Sequence, residues 1–467
     1  MPSDVRVYGY RWVVLAAFMA VNLTIQVLWI SYAPVSSLAQ DYYGVSAAAI
    51  GALAMIFMVA YLPFSFLASH LIAHRGLRFA SGLGALLAGV AGVTRGLVGP
   101  HFALALLATA GAAIAQPFLL NAWTTLSSQW FPRTQRATAV SLITFANLVG
   151  AGIGMAVTPS LVSSMSIATV QLTYGGCALV AGVVFVLVAR DRPPTPPDLG
   201  IGTTPTTTLV GVRRALRVKP FVTFLVIAFV VMGVFNGLST WVEEIVRPRG
   251  FSSVDAGNLG ALLLLGGVLG AVVMSALSDR SGRRVPFMTL ALVVAAPALV
   301  WVALADSVVT LDAAAFLLGF FLTSAFPVGM QYAAEITAPV PEGTSNGLIQ
   351  LAGQASVVVV YLMAVTRTPS GSFVPSLFAL AGLLLVSGLV MSRLPEPAYH
   401  LGAAAAPAPA EAPPVAAAPV PLEPAALDQR FPRQRREDEV APRSPRRRAR
   451  AAPAALSDQK PGRRHRE

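Results

Sequence analysis

The sequence is short of charge. Only 12% of its 467 residues are Asp, Glu, Lys or Arg, about half the share of an ordinary soluble domain. That scarcity excludes a string of soluble domains. One cysteine is present, Cys177, so no intrachain disulfide can form. Lysine occurs only at Lys219 and Lys460, and arginine carries nearly all the positive charge. There is no phosphate-cradling Gly-rich string and no spaced set of metal ligands; His70 and His74, a close pair, fall in a connection. Enzyme chemistry and a bound cofactor are therefore not expected.

What the chain has instead is long apolar runs, 55% of its residues being hydrophobic. Runs of about 20 residues cross a bilayer core of about 30 Å as helices, so the expected class is an all-α polytopic membrane protein. Twelve spans are predicted, at 12–38, 47–70, 79–98, 103–126, 137–158 and 170–189, then at 220–246, 255–277, 286–305, 311–334, 345–365 and 373–393. The first run is too long for a signal-peptide core and reads as a retained helix. Arginines at 6, 11, 75, 78, 133 and 136, those of the 190–219 loop, and those at 280–284 fall on one side, whereas Arg95, Arg247, Arg249 and Arg367 fall on the other. The positive-inside rule then places both termini in the cytoplasm, and a cell-membrane location is expected. The net charge of +12 is absorbed by topology, so the lipid bilayer and not nucleic acid is the expected partner. A monomer is expected.

The chain divides into a six-helix half at 1–189, a central loop at 190–219, a second six-helix half at 220–395 and a tail at 396–467. The halves echo each other, as in transporters built from parallel repeats. Pro117 answers Pro327, Asn121 answers Gln331, and His74 to Arg78 answers Arg280 to Arg284. The Ala/Pro tail with its Arg clusters lacks the apolar surface to offset ordering, so it reads as disordered. Its basic clusters could touch anionic headgroups.

Polar groups inside the spans carry the functional reading. Trp29 and Tyr32 lie in Gln26-Val27-Leu28-Trp29-Ile30-Ser31-Tyr32-Ala33-Pro34. An indole there is either a belt residue at the headgroup level or a π face turned inward. Gln26, Gln116, Asn121, Asn147, Asn236 and Gln354 all fall within spans, and Gln116, Asn236 and Gln354 lie near mid-helix by residue count. Buried amides face a cavity or tie helices together. Three at one depth, with Trp29, point to a central site for a small solute. No acid lies at mid-depth, which favours a diffuse, weakly hydrated cation or a neutral amphiphile. With no buried acid and no mid-span His there is no proton relay, so facilitated diffusion is expected. Glu335 is expected to close an inner gate by pairing with Arg133, Arg136 or the Arg280 cluster. Glu243 and Glu244 read as a solvated outer rim, and Arg95 as a residue snorkelling to the interface.

Ser275-x-x-x-Asp279-Arg280-x-Gly282-Arg283-Arg284 resembles the loop motif of the major facilitator superfamily, with Ser275 where a Gly is usual. The matching loop after the second span keeps Arg75, Gly76 and Arg78 but has Ala73 where the acid would be. The resemblance implies that Asp279, Arg280, Arg283 and Arg75 help to close the cytoplasmic side. More narrowly, Trp29-Ile30-x-Tyr32, Ala115-Gln116-Pro117-Phe118 and the string from Glu335 to Gly347 resemble the feline leukaemia virus subgroup C receptor-related transporters, solute carrier family 49. That resemblance implies choline or ethanolamine transport; haem export and vitamin B6 compounds are also associated with the family, though no residue set here would ligate haem. It further implies a cation cage, matched by Trp29, Gln116 and Gln354, with Asn236 where the family has a Tyr. The substitution favours a smaller or more polar amine, such as ethanolamine, beside choline. The alternatives are a proton-coupled exporter of drugs or metabolites, and a non-transporting sensor that signals through the tail.

Overall fold

The computed structural model describes residues 7–195, 197 and 209–397. Much of the central loop and the tail from 398 onward, which reads as disordered from sequence, lie outside these residues.

Among the described residues, twelve helices are long and apolar enough to cross a membrane. In order these spans are Arg11–Tyr43, Ala47–Arg75, Leu77–Leu97, Phe102–Trp130, Thr134–Val162 and Ile167–Val188, then Lys219–Thr240, Ser253–Ser281, Val285–Leu304, Val308–Thr337, Glu342–Val365 and Val374–Met391. Several run past the predicted apolar stretches because local chemistry starts them earlier. Span 8 opens on a capping box, in which the Ser252 side chain accepts from the Asp255 N–H and the Asp255 carboxylate accepts from the Ser252 N–H. Ser46 and Ser166 likewise accept from Ala49 and Thr169 to start spans 2 and 6.

Each half has its own apolar core. One is built on Phe18, Phe57, Phe118 and Phe185, the other on Phe221, Trp241, Tyr332 and Leu377. Within a lipid-facing bundle, helices gain most by close approach through small residues. Spans 3 and 6 meet at Gly92 and Gly175, where an added Cβ on Gly175 would lie 2.1 Å from the Gly92 carbonyl carbon. No larger residue fits there.

The alternating spans give the bundle a basic end, carrying Arg75, Arg78, Arg136, Arg280, Arg283 and Arg284, and a far end. The halves pack on each other near the far end. Met155 of span 5 sits against Gly257 and Gly260 of span 8, and Trp241 after span 7 sits against Gly51 of span 2. At the basic end an acid following the last span of each half receives the N–H groups that open an inner span. Asp191 accepts from the Arg78 N–H at 2.8 Å, and Glu396 accepts from the N–H groups of Arg284 and Val285, the latter at 3.1 Å. Negative charge there complements the exposed N–H groups of a helix start. Asp191 thus supplies a carboxylate at the loop where Ala73 lacks one.

Candidate functional site

Three of the twelve spans, 1, 4 and 11, are interrupted, and a break at Trp241 follows span 7; these are the four spans that carry Trp29, Gln116, Gln354 and Asn236. Span 1 is helical through Ile30, breaks at Ser31–Tyr32, passes through a 3-10 turn at Ala33–Val35 and resumes at Ser36–Tyr43. Trp29 is the residue before that helix ends. Span 4 is helical over Phe102–Leu120 and resumes at Trp123–Trp130; Pro117, which has no N–H to donate, weakens the turn before the break. Span 7 ends at Thr240, and after a break at Trp241 the short helix Val242–Val246 follows. Span 11 breaks at Ser356, two residues beyond Gln354. Irregular backbone at membrane depth persists only where protein or a wet cavity satisfies it, so each break calls for polar partners.

The breaks are held by side chains. Asn236 Nδ2 donates to the Gly353 carbonyl at 3.4 Å and to Ser356 Oγ at 3.2 Å. Ser356 Oγ donates back to Gly353 at 2.6 Å. The indole N–H of Trp241 donates to the Val360 carbonyl at 3.0 Å. In span 1 the Leu28 carbonyl receives Arg95 Nη1 at 2.8 Å, while Arg95 Nη2 reaches Ser31 Oγ and, at 2.5 Å, Gln171 Oε1. Arg95 is 2% exposed and its guanidinium lies 4.9 Å from the Tyr32 ring. It does not snorkel to the interface, because the break in span 1 offers it acceptors inside.

Trp29 is half-buried and packs against the cores of both halves, at their junction. Gln116 is the middle residue of span 4, is 4% exposed, and its Oε1 has no partner among the described residues. Gln354, half-buried, sits at the middle of span 11. Asn236 is displaced from the middle of Lys219–Thr240 towards the far end, and its bonds to Gly353 and Ser356 set it beside Gln354 in the chain of span 11. Asn121 has a different task. It accepts from Tyr61 at 2.5 Å and donates to Ser65 and Ser69, which ties span 4 to span 2.

At the basic end the structure assembles a triad within the second half. Arg284, 3% exposed, pairs with Asp279 and, at 3.2 Å, with Glu335, and Gln331 donates to Glu335 at 2.9 Å. Burial alone would lower the Arg284 pKa, but hydrogen bonds to Asp279 and Glu335 outweigh it and hold the group above its ordinary value. The partner of Glu335 is therefore Arg284. Arg280 and Arg283, following the same turn, are exposed, because Gly282 at φ 67° ends the helix and sends the chain round. Arg75 is exposed and lies over the Phe79 ring. Arg136 Nε donates to the Phe131 carbonyl, and the side chain of Arg133 lies outside the described residues.

Glu243 and Glu244 are not a solvated rim. They are 1% and 0% exposed, since the break at Trp241 folds them inward beneath the Ser36–Tyr43 helix of the other half. Glu243 accepts from the Ser37 N–H at 2.8 Å, from Ser37 Oγ at 2.5 Å and from Ser253 Oγ at 2.7 Å. Glu244 accepts from Gln40 Nε2 at 2.6 Å and Ser36 Oγ at 3.1 Å, and pairs with Arg367 at 2.8 Å and Arg247 at 3.7 Å. The bonds from Ser36, Ser37 and Gln40 cross between the halves. No periodicity in the sequence announces them, although two adjacent acids facing Ser36, Ser37 and Gln40 at the same end were available as a signal.

Comparison with known proteins agrees with this architecture. The family described as Major Facilitator Superfamily matches residues 12–257 and 243–436. Solute carrier family 49 member A3 of Xenopus tropicalis is 30% identical over 376 residues, covering 77% of this chain and 78% of that protein. The choline/ethanolamine transporter FLVCR2 of Homo sapiens is 28% identical over 382 residues, covering 76% and 72%. Among solved structures, a bacterial homologue of the human lysosomal transporter Spinster, in an inward-facing and unoccupied conformation, superposes with a TM-score of 0.66 at 15% identity, covering 83% of this chain and 97% of that one.

Proposed function

We propose a substrate for a chain that belongs to the major facilitator superfamily and, within it, to solute carrier family 49: as a membrane transporter it carries a small hydroxylated amine of the choline or ethanolamine kind. The observation that carries this reading is that the three interrupted spans, and span 7 with the break that follows it, are the spans that carry Trp29, Gln116, Gln354 and Asn236. Trp29 offers a π face, an attraction of about 2 kcal/mol for a desolvated cation. Gln116, with its unpartnered Oε1, and Gln354 add polar contacts beside the bound amine. The names of the relatives in zebrafish and mammals point to the same class.

Transport proceeds by alternating access. The far-end bonds from Ser36, Ser37 and Gln40 to Glu243 and Glu244 hold that end shut, so substrate enters and leaves this state from the basic end. With the basic end cytoplasmic, the closed end faces outward across the cell membrane. The Asp279–Arg284–Glu335 triad braces spans 8, 9 and 10 at the inner mouth. Facilitated diffusion is the mode we assign. Proteoliposomes loaded with the purified protein should take up labelled choline and ethanolamine faster than empty vesicles, and no signal for either would sink the amine reading.

One observation favours proton coupling as a second reading. Glu243 is buried between the halves with hydroxyl and amide donors but no Arg or Lys within ion-pair distance among the described residues. Accumulation of substrate driven by an imposed pH gradient, abolished in Glu243→Gln, would establish this reading.

A further inference from the structure

Two amides outside the four-residue site meet at the middle of the membrane. Gln26 lies one residue from the middle of span 1 and Asn147 one residue from the middle of span 5. Gln26 Nε2 donates to Asn147 Oδ1 at 2.6 Å, and Gln26 is 7% exposed. That contact uses one donor and one acceptor. The remaining atoms, Gln26 Oε1 and Asn147 Nδ2, are buried and have no partner among the described residues. Turning both amides over would exchange the atoms but again leave one free acceptor and one free donor.

As a tie between helices the pair makes little sense. An interhelical hydrogen bond in a membrane contributes about 0.6 kcal/mol on average, whereas each orphaned buried polar group costs about 1–3 kcal/mol. The arrangement becomes favourable when one group fills both vacancies. A hydroxyl does so with a single oxygen, donating to the free carbonyl and accepting from the free amide N–H. Gln26 also lies three residues before Trp29, on the same helical face and about 4.5 Å away along the axis. A short amino alcohol spans that interval with its ammonium group on the indole.

We propose that Gln26 and Asn147 form the hydroxyl subsite of this transporter and select alcohols over amines that lack one. The assignment rests on the amine reading above, and the experiment separates the two. Affinities for choline and for ethyltrimethylammonium, which keeps the cation but has no hydroxyl, are measured on the purified full-length protein by calorimetry. The native protein is expected to favour choline by tenfold or more, and Gln26→Met and Asn147→Leu each to bring that ratio down towards one. Asn147→Ala repeats the test with a side chain that cannot clash. A ratio that survives in all three variants and collapses in Gln116→Met places the hydroxyl at Gln116 and overturns the proposal. Equal affinity of the native protein for both compounds also overturns it, with the amine reading intact. Native protein that binds neither compound removes the amine reading and this subsite with it.

Discussion

At the scale of the single residue, Trp29 and Arg95 work as a pair from opposite sides of span 1. Trp29 faces the junction of the halves, while Arg95 from span 3 holds the Leu28 carbonyl immediately before it. Trp29→Ala should weaken choline binding by about thirtyfold, the equivalent of the 2 kcal/mol of a desolvated cation–π contact, and Trp29→Phe should restore part of it. Retention of native affinity in Trp29→Ala would show that the indole is a belt residue. Arg95→Leu takes the side-chain donor from the Leu28 carbonyl, at about 1–3 kcal/mol, and leaves Gln171 Oε1 with Ser31 Oγ alone. A lower melting temperature and weaker binding are expected together, with Arg95→Lys intermediate. Sequence reasoning singles out Trp29 because its neighbours form a motif. It misread Arg95 because position along a helix gives depth and not the direction a side chain faces. The same limit applies to Glu243 and Glu244, whose burial depends on a break after span 7 that neither Pro nor Gly marks.

At the scale of the element, the twelve spans were legible because hydrophobic length alone dictates them, and the breaks were not. Pro34 and Pro117 hint at two, whereas Trp241 and Ser356 carry no breaker and depend on tertiary hydrogen bonds. The break in span 11 explains why Asn236 stands where an aromatic is expected from resemblance. Asn236 is 8% exposed and its amide is bonded to Gly353 and Ser356, bonds that a phenol ring in its place would lose. Asn236→Tyr is therefore expected to lower the melting temperature without improving choline affinity. A gain in choline affinity at unchanged stability would show that the position is an open wall of the site. Ser356→Ala removes both the acceptor for Asn236 and the donor to Gly353. Its expected effect is a loss of transport larger than its loss of stability, read by uptake and thermal melting on the same preparation.

At the scale of the molecule, the two halves meet through apolar packing, Met155 on Gly257 and Gly260 and Trp241 on Gly51, and through a polar joint at the far end. Glu244 is the residue on which most of it converges, with Gln40 and Ser36 from one half and Arg367 and Arg247 from the other. Removing one partner of a buried, hydrogen-bonded charge pair costs about 2–5 kcal/mol, and every 1.4 kcal/mol shifts a two-state population about tenfold. Glu244→Ala should therefore move the protein from the far-closed towards the far-open state. The lone native thiol makes this measurable. In a Cys177→Ser background, Ala33→Cys places one thiol in the 3-10 turn of span 1, at a buried position packed with the second half's core. A membrane-impermeant thiol reagent applied from the far side should label it slowly in the parent and at least tenfold faster once Glu244→Ala is added. Equal rates would mean that the far end is held by the Met155 and Trp241 packing alone, and that the carboxylates stabilise the fold without gating it.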